Sequence, residues 1–81
     1  MSVLPESIQV SQCYLASDGR VRRVTSLFPG RVQYEQRPGH RVEWKGARVN
    51  VLELRSFAFS VERPVPCDWT LETEERPLRS S

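Results

Sequence analysis

Histidine occurs once in this 81-residue chain, at position 40, and cysteine twice, at positions 13 and 67. A lone histidine on a Pro38-Gly39-His40 loop, with no second histidine and no cysteine or carboxylate at ligand spacing, excludes the usual zinc patterns and a Cys-His catalytic pair. No two titratable residues have a plausible catalytic spacing, so no enzyme, cofactor or metal is expected. The two cysteines lie far apart and form no disulfide framework pattern, and two free thiols are expected, with Cys13 buried and inert and Cys67 not activated. No apolar run approaches the ~18 residues that span a bilayer. The opening residues, MSVLPESIQV, lack a basic segment followed by an apolar one, so a cytoplasmic protein without a membrane partner is expected. Lysine is present only at Lys45, and eleven of the twelve basic residues are arginine.

What is there is ordinary globular material. Hydrophobic residues make up 38% and charged residues 27%, which argues against wholesale disorder. A chain this short forms one domain and buries roughly 60–65% of its unfolded surface. Residues 1–11 read as a lead-in, with Ile8 and Val10 spaced for a short edge strand, residues 12–69 as the domain, and residues 70–81 as a polar, acidic, mobile tail.

Between Cys13 and Gln36 the β-rich runs are broken only at Ser17-Asp18-Gly19 and at Pro29-Gly30, which predicts three consecutive antiparallel strands. In the middle run Val21, Val24 and Leu27 stand three apart; with β-branched residues and flanking turns, a strand bulged near Arg22-Arg23 reconciles that spacing. From Arg31 to Arg37 alternation is clean, with Val32 and Tyr34 on one face and Gln33 and Glu35 on the other. Residues 41–44 give a weaker strand signal, Lys45-Gly46 reads as a turn, and Arg48 to Val51 as a short strand. Asn50-Val51-Leu52-Glu53 has the form of a capping box, and Leu54, Phe57, Ala58 and Val61 come after it at helical spacing, which predicts one short helix near residues 51–59. Pro64 and Pro66 exclude a central strand after the helix and leave room only for a brief return along a sheet edge.

The fold class expected is mainly β: a small antiparallel barrel of about five strands with one short helix. The runs Gly19-Arg20-Val21-Arg22-Arg23-Val24-Thr25-Ser26-Leu27 and Gly30-Arg31-Val32-Gln33-Tyr34 resemble the G-x-V-x-x-V meander of SH3-like barrels, especially of the KOW and Tudor type. The stretch from Gln12 to Val65 also resembles short uncharacterised SH3-like proteins of proteobacteria and phages. The resemblance implies a non-enzymatic binding module. Cys13-Tyr14-Leu15-Ala16 is not the aromatic shelf of a proline-peptide binder, and the scattered aromatics do not make a methyl-lysine cage.

Charge suggests a partner. From Gly19 to Arg48 there are eight basic residues against two acidic ones, Glu35 and Glu43. Arg20, Arg22, Arg31 and Arg37 on adjacent strands and loops are the candidate nucleic-acid contacts, with Tyr34 or Trp44 to stack on a base. The same charges also suit a solvated face with local ion pairs to Glu35, Glu43, Glu53 and Glu62. The alternative partner is a protein, met through a sheet edge and through Trp44 and Trp69, either folded back or displayed. Open edges also allow a monomer or a weak homodimer. Glu72, Glu74 and Glu75 are placed to mask the basic face or simply to solvate the tail.

Overall fold

The computed structural model of the protein describes residues 3–72. Five antiparallel strands form one sheet: β1 (Cys13–Ala16), β2 (Val21–Phe28), β3 (Arg31–Arg37), β4 (Arg48–Glu53) and β5 (Val61–Val65). Their spatial order is β4-β3-β2-β1-β5, and one helix, α1 (Leu54–Ser60), carries the chain from one edge strand to the other. Among the described residues the mainly-β class, the strand number and a short α-helix after the fourth strand are as expected from the sequence. The helix lies at Leu54–Ser60 where residues 51–59 were expected, and the described part of the lead-in forms a 3-10 turn at Pro5–Ser7 and no edge strand. The sheet remains open, because β4 and β5 are its two edges, so "barrel" describes it only loosely.

The first hairpin turns where Gly19 adopts φ 90°, the left-handed region that favours glycine, and the second at Gly30 with φ 75°. The bulge lies further along β2 than expected: Val24 pairs with Tyr34 and Ser26 with Gln33, which leaves Thr25 as the extra residue. Thr25 Oγ1 donates to the Gln33 carbonyl at 3.1 Å and so holds the shifted register. Residues 41–44 form no strand and belong to a loop between β3 and β4. The capping box is not made either. Asn50 pairs with Tyr34 inside β4, and Glu53, the residue at the N-cap, makes no side-chain cap bond. Strand pairing therefore took the residues that were read as a cap. Val61, read as the last residue of the helical stripe, begins β5.

Each face of the sheet carries an apolar cluster. On one, Ile8, Tyr14, Ala16, Val24, Val32, Tyr34, Phe57, Ala58 and Val61 form a cluster under α1. Ile8 joins it from outside any strand. The Tyr14 hydroxyl donates to the Ser7 carbonyl at 3.3 Å and accepts from the Gln9 amide at 3.2 Å, and burial pushes its pKa up. On the other face Cys13, Leu15, Val21, Val65 and Trp69 pack together, with Trp44 and Cys67 at the margin. Cys13 and Cys67 are joined as a disulfide, with Cα atoms 5.2 Å apart. This corrects the expectation of free thiols. Pairing of Cys13 with Val65 across β1 and β5 brings Cys67, two residues further on, within bonding reach.

Two turns abut on this face. A Cβ added at Gly39 would fall on the backbone carbonyl oxygen of Gly19. Gly39→Ala is therefore expected to lower stability by about 1–3 kcal/mol, as overpacking against backbone does, and a denaturant titration against the parent checks it.

Candidate functional site

The arginines read as one stripe are divided by the fold into four different settings. Arg22 lies on the α1 side of the sheet. Its guanidinium carbon sits 5.0 Å from the Tyr34 ring centroid and 5.7 Å from that of Phe57, and it donates to Gln36 Oε1 at 3.0 Å and Ser60 Oγ at 2.6 Å. Arg31 stands at the far end of β3, opposite Phe28, whereas Arg37 at the near end faces Val21. Six residues of strand separate those ends, about 20 Å. Tyr34 is buried against Phe57, so it offers no free face to a base. Arg20 is exposed, with Asp18 at 3.7 Å.

Arg37 departs furthest from expectation, being only 1% exposed. Its Nη1 donates to the carbonyls of Pro38 (3.1 Å) and Arg41, and its Nη2 to those of Cys67 (2.9 Å) and Trp69 (2.6 Å). The Trp44 ring centroid lies 4.9 Å from its guanidinium carbon. Burial pulls the Arg37 pKa down, opposed by the charges of Asp68 and Glu43 and aided by that of Arg23. A guanidinium spent on four backbone carbonyls is a clamp between the β3–β4 loop and the segment after β5, not a phosphate contact.

Trp69, at 4% exposure, is folded back into the second cluster. Trp44 is half-buried, lies 4.4 Å from the Arg23 guanidinium carbon, and donates through Nε1 to the Cys67 carbonyl at 3.3 Å. Arg23 also pairs with Glu35, one of the local ion pairs anticipated. His40 is exposed on its loop, and among the described residues no cluster of three or more His, Cys, Asp or Glu side chains is placed to hold a metal ion. Of the acidic tail residues Glu72 is the last one described, and Glu74 and Glu75 lie outside the described residues.

What the fold does bring together is a different basic set. The β3–β4 loop curls over the near end of the sheet and encloses a groove of about 610 Å³. Arg20, Arg41, Lys45 and Arg48 line it around the buried Arg37, with Gln36 and Asn50 adding amides and Glu43 the single carboxylate. All four outer cations are exposed. Sequence reasoning counted Arg41, Lys45 and Arg48 in the charge excess but did not place them, because their meeting depends on the loop's path rather than on strand spacing. A second surface lies at the opposite end. Phe28, Val49 and Val51 are 48%, 58% and 54% exposed, and Phe28 and Val51 line a shallow apolar hollow beside the open edge of β4.

No helix among the described residues is long and apolar enough to cross a membrane. Comparison with protein-family models, with curated proteins and with solved structures finds no match to this chain.

Proposed function

We propose that the protein is a non-enzymatic binding module of SH3-like type that holds a nucleic-acid backbone in the groove beneath the β3–β4 loop. The strand order, with a short helix linking the fourth and fifth strands, supports the SH3-like part of this reading. The observation that carries the function is the groove itself: four exposed cations and two amides converge there with one carboxylate. Phosphates displace condensed counterions when they meet such a surface, which makes affinity depend steeply on salt. Arginine predominates among the four, which favours bidentate phosphate contacts.

The test is fluorescence anisotropy of labelled single- and double-stranded oligonucleotides at two or more salt concentrations. The triple variant Arg41→Ala, Lys45→Ala, Arg48→Ala is expected to flatten the slope of log K against log salt by about 2–3. Its stability should stay within about 1.5 kcal/mol of the parent, about 0.5 kcal/mol for each of three surface substitutions. Arg31→Ala, at the far end of the sheet, should bind as the parent does. Equal slopes for parent and triple variant would remove the groove from consideration.

A second reading, a protein partner docked on the β4 edge, is favoured by the exposed Phe28, Val49 and Val51. It predicts binding nearly insensitive to salt. The Trp residues no longer support it, with Trp69 buried and Trp44 engaged by Arg23 and Cys67. A cytoplasmic setting fits the disulfide only where that bond forms and breaks in use, since lasting disulfides belong to oxidising compartments.

A further inference from the structure

We propose that the Cys13–Cys67 disulfide is a redox latch that fixes the wall of the basic groove, so that reduction weakens anion binding there; this rests on the groove being the binding site. Cys67 is the node. Its sulfur is bonded to Cys13 in β1, while its carbonyl accepts from Arg37 Nη2 at 2.9 Å and from Trp44 Nε1 at 3.3 Å. Arg37 also grips the Trp69 carbonyl, and through its other nitrogen the carbonyls of Pro38 and Arg41. The Leu71 amide donates to the Gly39 carbonyl at 2.9 Å. The loop carrying Arg41 and Lys45 thus rests on the segment after β5, and the disulfide is the covalent cross-link that pins the start of that segment to β1.

The two sulfurs differ in access: Cys13 is fully buried, whereas Cys67 is half-buried beside the Ser11 carbonyl. A small dithiol reductant attacks through its thiolate at the Cys67 sulfur. The Cys13–Cys67 bond breaks, and Cys13 leaves as a thiolate that takes up a proton. The second thiol of the reductant then displaces Cys67 from the mixed disulfide, and Cys67 in turn takes up a proton. Two electrons and two protons have passed to the protein, and the reductant leaves as its own disulfide. The clamp then holds by hydrogen bonds alone. Loop and segment open locally more often, and ordering the loop on a phosphate backbone becomes costlier.

The experiment compares oxidised protein, protein reduced with a dithiol, and Cys67→Ser, using backbone amide exchange and oligonucleotide anisotropy. Mass spectrometry confirms the gain of two hydrogens on reduction. Exchange at Arg41, Ala47, Trp69 and Leu71 is expected to accelerate about tenfold or more in the reduced and Cys67→Ser forms, while β2 and β3 keep their protection. Oligonucleotide affinity should fall about tenfold with it. Unchanged exchange in the loop and segment overturns the latch, as does loss of protection throughout β2 and β3, which would mean that reduction unfolds the domain. Local acceleration with undiminished affinity overturns the control of binding. Acceleration in a protein that binds no oligonucleotide even when oxidised overturns the groove reading and leaves the mechanical latch standing.

Discussion

Replacing Arg37 by alanine is expected to lower the unfolding free energy by about 3–5 kcal/mol, because several carbonyls lose a charged donor and each acceptor left buried without one costs about 1–3 kcal/mol. At about 4–8 °C per kcal/mol for a domain this small, the melting temperature should fall by at least about 12 °C. The magnitude reflects the acceptors left without a donor. The carbonyls of Pro38, Arg41, Cys67 and Trp69 lose a shared charged group, and all four lie in segments that no strand pairing holds. Lysine is no substitute, because its compact ammonium has three donors on one atom and cannot reach four acceptors arranged around a planar fork. Methionine restores volume without donors. Arg37→Met should therefore recover only the packing share of the loss, and the gap between the Met and Ala variants separates cavity from hydrogen bonding. Urea titrations of all three variants measure this, and a loss below about 1 kcal/mol for Arg37→Ala would show that the clamp contributes little.

The second large effect is expected at the other cluster. Phe57→Ala should cost about 3–5 kcal/mol, and Phe57→Leu less than about 1.5 kcal/mol. Phe57 is fully buried between the Tyr14 ring, edge-on at 5.9 Å, and the Tyr34 ring at 5.0 Å. Helix α1 has only seven residues and lacks an N-cap side-chain bond, so on its own it is far below the length at which helices persist in water. Its stability is borrowed from this anchor. Alanine should lower the denaturation midpoint without changing the slope if the transition stays cooperative, and the same titration reads both quantities.

These two residues also mark how far the sequence could be read. Phe57 was legible: it falls on a helical apolar stripe with Leu54 and Ala58, and such a stripe packs inward wherever the helix is placed. Arg37 was not. In β3 the alternation assigns Val32 and Tyr34 to one face, and Arg37 then shares the polar face with Gln33 and Glu35. That face is solvated along most of the strand but covered at the Arg37 end by the β3–β4 loop and the segment after β5. Period-two alternation identifies which side a residue faces, not what irregular chain later covers that side. The disulfide was hidden for the same reason, since a separation of 54 residues carries no spacing signal and only the β1–β5 pairing brings the sulfurs together. Asn50 and Glu53 mislead differently: their residue types suit a helix cap, but the hydrogen-bonding edge of β3 competes for the same backbone and wins.

The position of β1 within the sheet has a consequence for the order of events during synthesis. β1 is flanked by β2 on one side and β5 on the other, so the earliest strand made needs the latest one to complete its hydrogen bonding. The β1–β2–β3–β4 meander can pair hairpin by hairpin as it leaves the ribosome, but one side of β1 stays open until Val61–Val65 has emerged. Until then Cys13 has no partner thiol from its own chain. An unpaired strand carrying a free cysteine is a surface for wrong pairings, and helix α1, which swings the chain across to that side, is the element that ends the exposure.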